Sequence, residues 1–140
     1  MIQRVQSIWL LLACISACLS IKFPFYTGHL ITDSLNSLTP LNAFSFIPIG
    51  ALTLISAAGS LLTIFLFKNR KRQMMITMGN LILSIIIIAL YFFEIKENYR
   101  ELSIPLITCV FVFIVPIFLF LAFRGIYKDN RLVRSVDRLR

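Results

Sequence analysis

Lys68-Asn69-Arg70-Lys71-Arg72-Gln73 is the stretch on which the fold of this chain turns. Four of its six residues are cationic, and it separates residues 43–67 from residues 74–93, two runs without a single Lys, Arg, His, Asp or Glu. Each run is long enough to cross a bilayer as a helix, which takes about 20 apolar residues at about 1.5 Å of rise each. A linker this short allows only a tight turn between two antiparallel spans. Its charge assigns that turn to the cytoplasmic side, where Lys and Arg accumulate beside membrane helices.

Composition agrees. The chain has 140 residues, of which 59% are hydrophobic and 14% charged, and its mean hydropathy is +0.88. Soluble domains carry about 45–50% apolar and about 25% charged residues. A net charge of +8 would suggest nucleic acid in a soluble protein. Here the cations stand beside apolar spans, so the expected partners are the bilayer itself and its anionic headgroups on the cytoplasmic side, not nucleic acid. A protein partner or a second copy of the chain is the further candidate.

Outward from the turn, residues 43–67 carry Pro48 in their first two turns, where a missing N–H costs little, and a close-packing patch, Ser56-Ala57-Ala58-Gly59-Ser60. In residues 74–93 the most polar deep side chain is Asn80, read as an interhelical hydrogen bond worth about 0.6–2 kcal/mol rather than a substrate contact. Residues 94–103 interleave Glu94, Glu97 and Glu101 with Lys96 and Arg100, as a solvated, locally salt-bridged external turn would. A fourth span follows at 104–123, with Ser103 as its cap and Pro105 in its first turn. Pro116 is central and predicts a kink at the Val112 carbonyl.

The first span is residues 8–25, closed by Lys22, which can lift its ammonium to the outer headgroups, and by Pro24. Ala13/Ala17 and Ser16/Ser20 have the spacing that lets another helix approach closely, here within the protein's own bundle. Arg4, the apolar run and Ile15-Ser16-Ala17-Cys18 also resemble a lipoprotein signal cleaved before Cys18. Residues 19–25 stay largely apolar where a lipoprotein has a polar tether, so a retained signal-anchor helix is expected. Residues 26–42 hold no Lys or Arg and belong outside. Thr32-Asp33-Ser34 offers caps for a short turn, and Leu35, Leu38 and Leu41 are suited to rest on the bilayer surface. His29, the single histidine, is read as solvated, because acid–base work needs a positioned partner.

Residues 124–140 form a cytoplasmic tail. Gly125 is expected to interrupt the helix and Asp129 to cap a new one. Leu132, Val133, Val136 and Leu139 share one face of it and Arg131, Arg134 and Arg138 the other, a basic amphipathic segment suited to lie on the inner leaflet. On this layout Arg4, the four cations of the turn, Arg124, Lys128, Arg131, Arg134, Arg138 and Arg140 lie inside, against Lys22, Lys96 and Arg100 outside. That bias predicts N-in, C-in. The fold class is thus an all-α membrane protein, a four-transmembrane-helix bundle forming one integral domain over residues 1–140 with a short basic amphipathic C-terminal helix.

The two ends of the chain carry a family likeness. Residues 1–13, Met-Ile-Gln-Arg-Val-Gln-Ser-Ile-Trp-Leu-Leu-Leu-Ala, and residues 128–140, Lys-Asp-Asn-Arg-Leu-Val-Arg-Ser-Val-Asp-Arg-Leu-Arg, resemble the uncharacterised membrane-protein family DUF4293 from Bacteroidetes. The resemblance implies four transmembrane helices and a bacterial inner-membrane location. It implies no catalytic residue.

The residues themselves point the same way. Proton-coupled transport needs an ionisable group within the membrane, and the only one in the spans is Lys22, at an edge. Membrane aspartic proteases need two Asp together, whereas Asp33 is external and Asp129 and Asp137 lie on an arginine-rich tail. Cys14, Cys18 and Cys109 form no Cys-x-x-Cys pair and are read as packing residues rather than redox or metal ligands. No enzymatic activity, cofactor or metal is expected. The expected role is structural or partner-binding, with Lys68, Arg70, Lys71, Arg72, Lys128, Arg131, Arg134 and Arg138 as the anionic-lipid or partner contacts. A small transporter acting as an oligomer is the alternative.

Overall fold

The computed structural model describes residues 3–29, 38–44, 46–66, 69–98, 104–105 and 107–137. Four helices run through them: α1 Gln3–Lys22, α2 Ile47–Phe65, α3 Arg70–Asn98 and α4 Val110–Asp137. All four have segments long and apolar enough to cross a membrane. α1 packs on α2 and α4, and α3 packs on the same two. The order around the bundle is therefore α1-α2-α3-α4, each helix antiparallel to the next.

The buried positions repeat every three and four residues: Gln6, Leu10, Ala13, Ala17 and Ser20 on α1; Ile49, Thr53, Ser56, Ser60 and Thr63 on α2; Gln73, Thr77, Asn80, Ser84, Ile87 and Tyr91 on α3; Val112, Val115, Leu119, Ala122 and Ile126 on α4. That is the 3.5-residue period of left-handed bundle packing. Ile8, Leu11, Ile15, Leu54, Leu61, Ile82, Ile85, Ile117 and Phe120 face outward. A bundle with much of its polar surface inside and its large aliphatic side chains outside suits hydrocarbon as solvent, where helices associate through small residues and hydrogen bonds. The protein is a multi-pass membrane protein.

The end away from the α2–α3 turn holds an element absent from the sequence reading. β1 Tyr26–His29 pairs antiparallel with β2 Leu38–Leu41 and with β3 Ile104–Pro105, in the order β2-β1-β3. Pro40 and Pro105 fall on the two edge strands, where proline is tolerated. Pro105 is therefore strand, not the first turn of the fourth span, and a 3-10 turn over Ile107–Cys109 leads into α4. Leu41 does not lie on the bilayer surface. It is 1% exposed, in a cluster with Phe25, Ile49, Ile87, Tyr91 and Val112, and the Phe25 and Tyr91 rings stack at 4.4 Å. The expected caps at Thr32-Asp33-Ser34 and Ser103 lie outside the described residues.

Helix bounds also differ. α2 starts at Ile47, not residue 43, because Ala43 folds back over it: a Cβ on Gly50 would stand 2.9 Å from the Ala43 carbonyl oxygen. Pro48 still falls in the first turn. α3 takes in Arg70–Gln73 of the basic stretch at one end and Glu94–Asn98 at the other. At about 1.5 Å per residue its 29 residues reach about 43 Å, beyond the ~30 Å hydrocarbon layer. α4 passes through Pro116 and Gly125 as one helix to Asp137. The basic segment is helical as expected, but as the continuation of α4 rather than a separate helix laid on the leaflet. Gly125 does not interrupt it, and Asp129 is an interior residue that caps nothing.

Candidate functional site

The fold carries the two basic segments to one end of the bundle. Arg70, Lys71 and Arg72 form the first turn of α3, and Lys128 and Arg131 lie on the last turns of α4. Lys71, Arg72, Lys128 and Arg131 are exposed. Arg134 belongs to α4 by its backbone, and Lys68 and Arg138 lie outside the described residues. Lys22 and Lys96 stand at the opposite end, on the last turns of α1 and α3.

Arg70 differs from its neighbours. Its Nη1 lies 3.2 Å from Oδ2 of Asp129 and donates to the Asp129 main-chain carbonyl at 3.3 Å. The side chain expected to meet a headgroup thus ties α3 to α4 instead. The pair also answers a local electrostatic problem. The N-terminal turn of a helix carries partial positive charge and favours acids, yet the first turn of α3 has none and three cations. Asp129 supplies the missing negative charge from another helix. On α4 the cations sit near the C-terminus, where the helix dipole favours them.

Next to this end, Gln73 is 5% exposed and donates from Nε2 to the Thr63 carbonyl at 3.2 Å, closing the α2–α3 turn. Further in, Asn80 donates from Nδ2 to the Ser56 carbonyl at 3.0 Å and to Ser60 Oγ at 2.9 Å. This is the interhelical bond expected of Asn80, and its partners belong to the close-packing patch of α2. Thr63 and Thr77 also lie in this seam, their hydroxyls bonded to the carbonyls of Gly59 and Gln73 in their own helices. Asn80, Thr77, Ser56 and Ser60 stand out in the sequence as polar or small residues of the spans, whereas Gln73, Thr63 and Thr53 do not. Their signal was the same three-four spacing along α2 and α3.

Beyond Asn80 the four helices enclose a cavity lined by residues from each of them, with about 10 Å³ open to the centre of a water-sized sphere. Among the described residues no Lys, Arg, Asp or Glu is buried, and no three His, Cys, Asp or Glu side chains gather as metal ligands would. The cysteines are free, Cys14 buried, Cys18 exposed and Cys109 half-buried. The arrangement offers hydrogen bonds and a cationic surface.

A family model described as "Domain of unknown function (DUF4293)" matches residues 2–139. No curated protein and no solved structure matches the chain.

Proposed function

The chain belongs to the DUF4293 family, and from that premise we propose that it is a structural or partner-binding protein of a bacterial inner membrane, without enzymatic activity, acting through the basic end of its bundle on the cytoplasmic side. The observation that carries this is the convergence of Arg70, Lys71, Arg72, Lys128 and Arg131 at one end. Of these, Arg70 is spent on Asp129, which leaves four exposed cations facing outward. Each cation near an anionic leaflet contributes about 1 kcal/mol, and headgroup phosphates offset the repulsion among like charges on α3. Anionic lipid is therefore the first partner, and a protein or a second copy the next.

The alternative, a small transporter acting as an oligomer, draws no support from the cavity, which has room for one water. Cytoplasmic and periplasmic reporters fused after Arg140 test the orientation. An active cytoplasmic reporter is expected, and an active periplasmic one overturns the proposal. A photo-crosslinker at Lys128 separates the partners: lipid adducts alone fit headgroup binding, and a discrete protein adduct fits a partner.

A further inference from the structure

Among the described residues two buried hydroxyls are not engaged, those of Tyr91 and Ser56, and Ser56 is the one that lines the central cavity. Ser20, Thr53, Ser56 and Ser84, from three helices, line it together with Val112 and Val115 of α4. Ser20 Oγ donates to the Ala17 carbonyl at 2.8 Å, Thr53 Oγ1 to that of Ile49 at 2.6 Å and Ser84 Oγ to that of Leu81 at 2.7 Å. Each of these oxygens has given its proton to its own helix and keeps lone pairs to accept with. Ser56 is 1% exposed, and its Oγ has no hydrogen-bond partner.

The cavity therefore offers one unengaged O–H donor and three acceptor oxygens, in a space of about 10 Å³ for the centre of a water-sized sphere. A single water requires about that much, together with two to four polar partners. A dry cavity would leave Ser56 unsatisfied, and buried polar groups in native proteins are rarely so. A monovalent cation could use the same lone pairs, but no acid among the described residues is buried to balance it, and an uncompensated charge at this depth is disfavoured. We propose that the centre of the bundle is a binding site for one water molecule, which accepts from Ser56 and donates to the oxygens of Ser20 and Ser84, joining α2 to α1 and α3. This site is independent of the basic end.

Water-to-protein magnetisation transfer, measured by NMR on the full-length labelled protein in phosphatidylcholine nanodiscs, tests it. Water cross-peaks are expected at the β protons of Ser56 and Ser84 and not at Leu10 or Leu119. Ser56→Ala, which removes the donor, and Val115→Ile, which fills the space, are each expected to reduce the Ser84 cross-peak at least fivefold, with unchanged Gln73 side-chain amide shifts, from a bond to the Thr63 carbonyl away from the cavity, as the control for folding. Absence of the cross-peaks in the parent protein overturns the proposal, as does their persistence in both folded variants. Replacing sodium chloride by choline chloride should change nothing, and cross-peaks that vanish with sodium would assign the site to a cation instead. If neither variant folds, the parent's cross-peaks and their response to sodium decide alone.

Discussion

Gly125 packs directly against the side chain of Gln6: a Cβ on Gly125 would stand 2.9 Å from Gln6 Cγ, so that side chain or the helix would have to shift to admit it. This is where α1 crosses α4, and it explains a glycine inside an unbroken helix. Glycine costs a helix interior about 1 kcal/mol relative to alanine, too little to break α4 against the packing it permits.

Gly125→Ala should therefore destabilise the protein by about 1 kcal/mol net, since overpacking costs about 1–3 kcal/mol against the propensity gain. Gly59→Ala is the control, because a Cβ there meets Asn80 only at an ordinary 3.5 Å. Thermal unfolding in detergent reads both. A stabilised Gly125→Ala variant would mean that the α1–α4 contact is looser than described.

Asn80 links α3 to α2 through Ser60 and the Ser56 carbonyl. Asn80→Ala should cost about 0.6–2 kcal/mol, and a double-mutant cycle with Ser60→Ala should show coupling. Zero coupling energy would show that the bond is not formed in the membrane.

The Arg70–Asp129 pair is partly exposed, with side chains 26% and 14% accessible, so its contribution is modest. A cycle of Arg70→Gln and Asp129→Asn should give a coupling of about 0.2–1 kcal/mol that falls with salt. Coupling that ignores ionic strength would contradict an ionic link between α3 and α4.

α1 fills the core on the N-terminal side of Cys18: Leu10 and Ala13 are fully buried and Cys14 nearly so. Loss of residues 1–17 would uncover faces of α2 and α4, so those residues are expected in the mature protein. Intact mass spectrometry checks this, and a diacylated product starting at Cys18 would refute it.

What could be read in the sequence was what local composition determines. Four spans, the position of Lys22 at the end of the bundle opposite the basic turn and the pairing of Asn80 with a small-residue face all follow from apolar length and residue type. What could not be read depends on distant partners. β1 and β2 are four residues each, contain Gly28 and Pro40, and show no clean alternation, and β3 pairs with β1 across 77 and 79 positions of sequence, Thr27 with Ile104 and Tyr26 with Pro105. Ala43 is apolar and fully buried without being helical, so hydropathy alone extended α2 backwards. Asp129 and Arg70 are 59 positions apart, and Asp129 had the look of a helix cap because Asp commonly is one.

Association of spin-labelled lipids with the full-length protein in mixed bilayers tests the central claim most directly. Phosphatidylglycerol should be enriched over phosphatidylcholine in the lipid shell, lose that preference at high salt, and lose most of it when Lys71, Arg72, Lys128 and Arg131 are all changed to Gln. Equal association of the two lipids with the unaltered protein at low salt would contradict a headgroup-binding role for the basic end.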